Sequence, residues 1–451
     1  MTHDNSKILK DHLATLGKRW EFSMARHNID LAIVHAGNPQ YYLFDDQAST
    51  FRANPHIAQW LHTDACQGSI LTISTTDGAK LYFLQQTGYW EKSASPPRED
   101  SKELHVVIFN DQNTLIKEVK QQINRHNFIV HIGNPEKDLE SSGKQINPTD
   151  LITTLDYYRA YKTPFEIAAM KQASIMGVKG HLAAKNAFYS EASEMDIHLA
   201  YLKASRQTEE SLPYPNIIAL NEHGSILHYQ YYEPTPPPVF RSFLIDAGAR
   251  SNNYAADITR TYVKPNSKAE TQIFEGLIDS LNNAQKQLIS QITPGVKYLD
   301  LHDEMHRKLA EILLAAGLVK SDPEETLAFG ITRSFLPHGL GHLLGLQTHD
   351  VGGHQIDLDG NKEHPPEYYE SLRLTRTVEE DQIFTIEPGI YFIPMLLAEL
   401  KGTKQSKYVN WNLVDALVPF GGIRIEDNIL LKSNGIENLT RIAFSQASEQ
   451  Q

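Results

Sequence analysis

A segment over residues 337–350, with three histidines interspersed with glycines, most constrains what this chain can be. The histidines are His338, His342 and His349, and no charged side chain lies between them. The glycines allow the backbone to turn where a side chain would block it, so the imidazoles can approach a bound group. Imidazole is the commonest metal-binding side chain, but one histidine does not hold a metal alone. The segment therefore predicts a metal site that takes carboxylates from elsewhere in the chain.

Two aspartates are the first candidates for these carboxylates. The apolar stretch Ser242–Asp246 is typical of a buried strand and ends on a carboxylate. Eleven residues later, Asp257 begins a stretch over residues 257–263 whose alternation predicts a neighbouring strand. A hairpin-like return of this length can place both carboxylates side by side. Two such charges repel each other unless they share a cation or a proton, and a pair of divalent metal ions would resolve the repulsion.

Two glutamates complete the set. Glu387 follows an apolar stretch over residues 383–386, and Glu426 lies in a predicted strand over residues 421–427. Strand periodicity puts Arg424 on the same face as Glu426, where an arginine can orient a ligating carboxylate. Four carboxylates and one imidazole suit two divalent ions, so manganese or cobalt is favoured over a single structural zinc.

Each of these signals is weak by itself. Aspartates at this spacing are more often solvated or salt-bridged turn residues, and Glu387 is equally typical of an ordinary strand end. Each histidine, taken alone, is more often a hydrogen-bonded core residue or a surface residue than a ligand. The joint occurrence, with every member in its own strand or glycine-turn context, favours the metal site.

The composition restricts the partners. The formal net charge is −13, which disfavours nucleic acid and anionic membranes because both need basic patches. The single cysteine, Cys66, excludes an internal disulfide and fits a reducing compartment. The first residues contain no apolar stretch like that of a signal peptide, and no apolar run is long enough to span a bilayer. We therefore expect a cytoplasmic protein that acts on small molecules or peptides.

Two domains are expected, because 451 residues exceed what one hydrophobic core usually serves. Residues 1–160 mix predicted strands with helices and indicate a small α/β domain with a partly parallel sheet. The dipeptide Asp77-Gly78 predicts a hairpin within that sheet. Residues 161–451 alternate helices with the strands that carry the candidate ligands, which is typical of an α+β domain.

Three helix starts are predicted in the second domain from capping patterns. Thr163 and Glu166 form a predicted capping box around a proline at the first helical position. Ser193 and Ser267 are each followed three residues later by an acidic residue, which predicts two further helix starts.

The order of the candidate ligands and their flanking motifs resembles that of the dinuclear metallopeptidases of the pita-bread fold, which include methionine aminopeptidase, aminopeptidase P, creatinase and prolidase. The chain is most similar to bacterial prolidases (Xaa-Pro dipeptidases), including the organophosphorus acid anhydrolase type. The motifs that carry the resemblance lie at residues 38–44, 161–167, 227–229, 410–412 and 420–427. The resemblance implies a pita-bread catalytic domain over residues 161–451 and a creatinase-like α/β domain over residues 1–160. It also implies two metal ions, usually Mn²⁺, held by Asp246, Asp257, His342, Glu387 and Glu426.

The resemblance also implies residues that contact the substrate. Arg373, or Arg376 close by, would bind the carboxylate of the substrate's proline. In the first domain, Asp45 and Trp90 would close the pocket of a partner subunit, which implies a homodimer; core packing is the equally open alternative for Trp90. The other implied pocket residues are His228, His338, His349 and Tyr214.

The expected function is hydrolysis of Xaa-Pro dipeptides to a free amino acid and proline. We expect Glu387 to take a proton from the attacking water and pass it to the leaving nitrogen, and His349 to stabilise the oxyanion. A side activity on organophosphorus triesters or fluorides is implied, because a nucleophile that attacks a carbonyl also attacks phosphorus. Aminopeptidase P-type cleavage and a primary phosphotriesterase are the alternatives. A binding protein that has lost catalysis is disfavoured, because all five ligand positions are filled.

Overall fold

The computed structural model describes residues 3–61, 63–85, 88–89, 92–97, 102–140 and 145–449. Contacts divide the chain into two compact units. Unit 1 contains Met1–Ala169 and Asp357–Asn361, and unit 2 contains Met170–Ile356 and Lys362–Gln451. The domain boundary at residue 160 stays a prediction. None of the described helices is long and apolar enough to cross a bilayer.

Unit 1 is built on a mixed six-stranded sheet of order β4-β3-β2-β1-β5-β6. The pairs β1/β5, β3/β4 and β5/β6 are parallel and the other two are antiparallel, which confirms the predicted partly parallel α/β sheet. The predicted hairpin joins β2 to β3, with Ser74 opposite Gly78. The elements are α1 (His3–Arg26), β1 (Leu31–His35), α2 (Pro55–Leu61), β2 (Ile70–Ser74), β3 (Gly78–Leu84), β4 (His105–Phe109), α3 (Gln112–Ile123), β5 (Ile129–Ile132), α4 (Lys137–Glu140), β6 (Gln145–Ile146) and α5 (Thr149–Arg159).

Unit 2 combines short antiparallel sheets with helices, and its first helix, α6, begins within unit 1. The elements are α6 (Pro164–Tyr189), α7 (Glu194–Ser205), β7 (Ile217–Leu220), β8 (Ser242–Asp246), β9 (Arg250–Ser251), β10 (Tyr254–Ala255), β11 (Thr259–Val263), α8 (Ala269–Ser290), α9 (Tyr298–Ala315), α10 (Pro323–Ala328), α11 (Ile331–Phe335), β12 (Ile383–Ile386), β13 (Gly389–Tyr391), α12 (Pro394–Lys401), α13 (Trp411–Leu417), β14 (Gly422–Arg424), β15 (Asp427–Lys432), β16 (Gly435–Asn438) and α14 (Leu439–Ser448).

Two of the three predicted helix starts are confirmed. At the start of α6 the Thr163 amide donates to Glu166 Oε2 (2.7 Å), and the Glu166 amide donates to Thr163 Oγ1 (3.4 Å). Ser193 Oγ accepts from the Asp196 amide (3.1 Å) at the start of α7. The start at Ser267 is wrong, because α8 begins at Ala269 without a side-chain cap. The Asn266 side chain accepts from the Lys268 amide (2.9 Å), and this turn delays the helix.

Three antiparallel sheets bring the site together in unit 2. They have the orders β7-β8-β11, β12-β15-β16 and β13-β14. Helices α6 and α7 bury one face of the first sheet, where Phe188 and Ile197 pack against Ile218, Phe243 and Ile245. A β-bridge between Thr259 and Glu426 links the first sheet to the second. The strand ends that carry acidic residues in the two sheets therefore meet.

Candidate active site

Asp246 and Asp257 lie side by side where the pairing of β8 with β11 ends. Asp246 ends β8 and pairs with Thr259, the first residue of β11, so Asp257 precedes the strand that it was predicted to open. The Ala247 amide donates to the Ile258 carbonyl (3.0 Å) and holds the return together. The predicted juxtaposition of the two carboxylates follows from this pairing.

Tyr214 touches both aspartates. Its hydroxyl lies 2.8 Å from Asp246 Oδ1 and within hydrogen-bonding distance of Asp257 Oδ1. A tyrosine hydroxyl carries one proton, so it can donate to only one carboxylate at a time. Tyr214 therefore cannot by itself relieve the repulsion between the two carboxylates.

Glu387 and Glu426 lie at the junction between the β12-β15-β16 sheet and the β13-β14 sheet. Glu387 follows β12 directly, as predicted. The prediction of one strand over residues 421–427 is wrong, because β14 ends at Arg424 and β15 begins at Asp427. Glu426 lies between them, where its amide donates to the Thr259 carbonyl (3.0 Å) and its Oε2 accepts from Thr259 Oγ1 (2.8 Å). These contacts with β11 turn the carboxylate toward the aspartates.

His342 lies at the centre of the acidic residues. Its Nε2 is 3.4 Å from Asp257 Oδ2, 3.7 Å from Glu387 Oε1 and 3.9 Å from Glu426 Oε1. Its Nδ1 lies 2.9 Å from the Leu343 carbonyl, which can only accept a hydrogen bond, so Nδ1 carries the proton. Nε2 therefore faces the carboxylates, where it can carry a proton shared with Asp257 or give its lone pair to a metal ion that takes the place of that proton.

The glycine before His342 is required by close packing. A Cβ added at Gly341 would lie 2.3 Å from both the Thr385 carbonyl oxygen and the Tyr298 hydroxyl. The loop over residues 337–350 therefore packs closely against β12. The backbone hydrogen bond from the Thr385 amide to the His342 carbonyl (2.9 Å) fixes its register against that strand.

Burial and crowding change the acidity of these groups. Burial, with the neighbouring charges of Asp257 and Asp246, raises the pKa of Glu387 to about 7. Burial and the charge of Asp257 likewise raise the pKa of Glu426 and, against the opposing charge of Arg424, that of Asp246. Although burial acts the other way, the hydrogen bond and charge of His342 lower the pKa of Asp257. Ionising all four carboxylates at once therefore costs electrostatic free energy, and a cation bound among them would lower that cost.

A metal fits this arrangement. Ligand atoms of Asp257, His342 and Glu426 all lie within 4.8 Å of one another. Glu426 Oε1 is buried without a hydrogen-bond partner among the described residues. A buried carboxylate oxygen normally has a partner, so this atom is the expected position for a cation contact. The ligand roles of the five residues stay a prediction, to which their arrangement lends support.

Arg424, Tyr391 and His338 form a hydrogen-bonded chain beside the acids. The Arg424 guanidinium donates to Asp246 Oδ2 (2.7 Å) and to the Tyr391 hydroxyl (2.7 Å). His338 Nδ1 lies 2.8 Å from the Gly339 carbonyl, so Nδ1 donates and Nε2 is left to accept from the Tyr391 hydroxyl at 2.8 Å. Burial and the charge of Arg424 lower the pKa of His338 to about 3, which keeps it neutral. Sequence reasoning missed Tyr391, whose partners are distant in sequence.

The five predicted ligands, together with Arg424 and His338, line one cavity of about 240 Å³. Four of the predicted substrate-contacting residues lie on its wall, namely His228, His338, His349 and Arg373. Leu227 and Ser371 also line it and were not predicted. Their neighbours His228 and Arg373 were the only signal for them in the sequence.

Arg376, Asp45 and Tyr214 are not among the residues that line this cavity. Arg376 is buried and does not line this cavity; it donates to the Gly352 carbonyl (3.3 Å) and lies 3.6 Å from Glu379. Asp45 is exposed on a turn of unit 1, where its Oδ1 accepts from the Gln47 amide (3.0 Å). Trp90 lies outside the described residues. Of the two candidate arginines, Arg373 is the one placed to meet a ligand.

Sequence comparison covers both units. Residues 168–433 match Metallopeptidase family M24, and residues 7–157 match Xaa-Pro dipeptidase, N-terminal domain. A Xaa-Pro dipeptidase of Shewanella pealeana is 41% identical over 437 residues, which cover 97% of this chain and 98% of that protein. A Xaa-Pro dipeptidase of Proteus mirabilis is 40% identical over 439 residues, which cover 96% of this chain and 98% of that protein.

Solved structures share the fold. Aminopeptidase PepP of Pseudomonas aeruginosa superposes with a TM-score of 0.72 at 19% identity, over 97% of this chain and 99% of that one. Aminopeptidase P of Escherichia coli, in its low-pH form, gives a TM-score of 0.73 at 20% identity over the same shares. This likeness confirms the predicted fold, a pita-bread α+β domain preceded by an α/β domain. The chain therefore belongs to metallopeptidase family M24, and over nearly its whole length it is similar to bacterial Xaa-Pro dipeptidases.

Proposed function

We propose that this chain is a metal-dependent Xaa-Pro dipeptidase, which hydrolyses Xaa-Pro dipeptides to a free amino acid and proline. The observation that carries the proposal is one cavity in which two buried acids, two partly buried acids and His342 converge, with Arg373 also in its lining. The similarity to Xaa-Pro dipeptidases of S. pealeana and P. mirabilis supports the same substrate class.

Two divalent ions, most favourably Mn²⁺, are proposed at the five predicted ligands. Carboxylate oxygens with one imidazole are suited to this metal. When bound, such ions supply an activated water nucleophile at neutral pH and polarise the scissile carbonyl. The unpartnered Glu426 Oε1 and the crowded aspartates support the proposal, because cations would satisfy both.

Glu387 is the proposed proton carrier. It lies in the cavity wall, 3.7 Å from His342 Nε2, so its carboxylate can accept a proton from a water held in the cavity. The nitrogen of an Xaa-Pro bond has no hydrogen before cleavage, so the leaving proline must receive a proton. Glu387 takes that proton from the attacking water and delivers it to the nitrogen.

His349 is the proposed donor to the developing oxyanion. Its ring lies edge-on to His342, with centroids 4.5 Å apart, and it lines the cavity. Burial, together with the charges of His342 and Arg373, lowers the pKa of His349 to about 4. The imidazole is therefore neutral near pH 7 and carries one N–H for the oxyanion. His338, held neutral by Arg424 and burial, is the second imidazole on the wall.

Arg373 is the proposed anchor for the substrate carboxylate. Its side chain is exposed and lines the cavity together with Ser371 and Gly339. A guanidinium can bind a carboxylate with two parallel hydrogen bonds, which fixes its position. Such an anchor would set the length of the peptide and favour dipeptides over longer chains.

Replacing Arg373 with methionine is expected to lower kcat/KM for Leu-Pro by roughly 100-fold, because a charge-assisted pair is lost. The matched control is Leu-Pro amide, which has no carboxylate and should respond to the substitution by less than about threefold. Steady-state kinetics on both substrates measure the difference. An equal loss on the two substrates would remove Arg373 from the carboxylate site.

The function itself is tested with metal-stripped protein before and after addition of Mn²⁺. Rapid metal-dependent release of proline from Leu-Pro and Ala-Pro, with little leucine release from Leu-Pro-Leu, is expected. Preferred cleavage of the tripeptide would instead indicate an aminopeptidase P-type enzyme. No cleavage of any of the three would contradict the proposal.

We also propose a side activity on organophosphorus esters and a homodimeric assembly. Slow hydrolysis of a nitrophenyl phosphotriester by the Mn²⁺-loaded protein would reveal the organophosphorus side activity.

An exposed apolar tip in unit 1 supports the homodimer. Leu43 is 84% exposed and Phe44 is 100% exposed, on a turn held by hydrogen bonds from the Tyr42 and Ser49 amides. A location in the cytoplasm stays a prediction.

A further inference from the structure

The two glutamates of the site lie in a break between two strand pairs. The β12/β15 pair ends at Ile386 and Asp427, and the β13/β14 pair begins at Gly389 and Arg424. We call residues 387–388 and 425–426 the glutamate break. The break lets both carboxylates leave the sheet toward the cavity, so its geometry sets the separation between them.

Gln285 of α8 bonds to both sides of the glutamate break. Its Nε2 donates to the Ile386 carbonyl (2.8 Å) and to the Ile425 carbonyl (3.2 Å). These carbonyls belong to the residues that directly precede Glu387 and Glu426. The side chain is completely buried and does not line the cavity. One amide group therefore ties the two glutamate-bearing segments together from behind.

The orientation of this amide is fixed by Arg441 of α14. The Arg441 guanidinium donates to Gln285 Oε1 (2.6 Å), so the amide oxygen is engaged and the nitrogen must face the two carbonyls. Arg441 itself donates to Asn282 Oδ1 (2.8 Å) and to Asp427 Oδ2 (2.6 Å). Asp427 is the residue after Glu426, so the network closes on the same segment. It anchors α8 and α14 to the break.

We propose that Gln285 is a positioning residue that holds Glu387 and Glu426 at the separation needed to share metal ions. The proposal rests on the metal site of the proposed function. Partners that orient metal ligands from behind typically contribute about 10- to 100-fold to metal affinity. Loss of the Gln285 amide should therefore weaken metal binding in this range, and it should leave the substrate pocket unchanged.

Gln285→Met tests the proposal, with Gln382→Met as its matched control. Gln382 is equally buried and adjoins β12, but its amide nitrogen and oxygen have no hydrogen-bond partner among the described residues. Titration of metal-free protein with Mn²⁺ by calorimetry is expected to show at least about 10-fold weaker binding for Gln285→Met. Gln382→Met should stay within about twofold of wild type. At saturating Mn²⁺, KM for Leu-Pro should be unchanged in both variants.

Gln285→Glu provides a second test in case the methionine variant folds poorly. Its carboxylate keeps the shape of the side chain and the contact with Arg441, but an ionised carboxylate cannot donate to the two carbonyls. The same weakening of Mn²⁺ binding is expected. Wild-type affinity in either folded Gln285 variant, or an equal loss in Gln382→Met, would overturn the positioning role alone. A wild-type protein that binds no Mn²⁺ would overturn the proposed function and this role together.

Discussion

Replacing Glu387 with glutamine is expected to lower kcat for Leu-Pro by roughly 1,000-fold or more, while the protein stays folded. Glutamine has the same shape but cannot accept and return a proton, so transfer from water to the leaving nitrogen fails.

Metal content must be measured in the same samples, because Glu387 is also a proposed ligand. Glu379→Gln is a suitable control, since it makes the same chemical change on a half-exposed side chain of the same unit. A Glu387→Gln variant with normal metal content and a kcat within tenfold of wild type would rule out the proton-carrier role. A loss of kcat that tracks loss of metal would assign Glu387 to ligation alone.

Acid is expected to unfold this protein steeply below pH 6.5, because the native chain buries several neutral histidines that are not proposed metal ligands. Burial is the main cause that lowers the pKa of His35 and His181 to about 3, of His302 to about 2 and of His306 to about 4. The unfolded chain binds protons at these groups near pH 6.5 and the native chain does not. The stability that they contribute is thus present above pH 6.5 and is lost as the pH falls.

The expected loss is large enough to unfold unit 2. Each pKa unit corresponds to about 1.4 kcal/mol, so His181, His302 and His306 together represent on the order of 10 kcal/mol. Typical domains are stable by about 5–15 kcal/mol. The raised pKa values of Glu387, Glu426 and Asp246 act with the opposite sign, because the stability that those groups contribute is lost as the pH rises, and cations bound among them remove that contribution. We expect a cooperative transition between about pH 4 and 6.

Circular dichroism across pH 8 to 3 measures this transition. His302→Phe keeps an aromatic ring between His306 and Tyr369, whose centroids lie 4.7 and 4.2 Å from that of His302, but removes the titrating group. Its midpoint should move to lower pH, whereas His105→Gln, a change at an exposed histidine, should leave it in place. Stability independent of pH between 8 and 4, or an unmoved midpoint in His302→Phe, would contradict the account.

Local features of the fold were predictable because their causes are local. The capping box at Thr163 and the hairpin before Gly78 depend on residues within a few positions, and both are present. The break before Glu426 was not predictable, because the contact that creates it is with Thr259, 167 positions away. The alternation of side chains by itself predicts one continuous strand over residues 421–427.

The acidic residues of the site could be predicted from the sequence, whereas the other residues that line the cavity could be predicted only in part. Asp246 and Glu387 stand at strand ends, where the apolar pattern stops, and that signal is visible in the sequence. The choice between Arg373 and Arg376 was not visible, because tertiary packing buries one and exposes the other three residues away. Gln285 looked like any polar residue of an amphipathic helix.

Crystals of the protein grown with Mn²⁺ and measured at the manganese absorption edge would test the central claim most directly. Two anomalous peaks are expected among the carboxylates of Asp246, Asp257, Glu387 and Glu426, with His342 Nε2 in contact with one of them. A single peak, or peaks outside this set of side chains, would contradict the dinuclear site on which the proposed function depends.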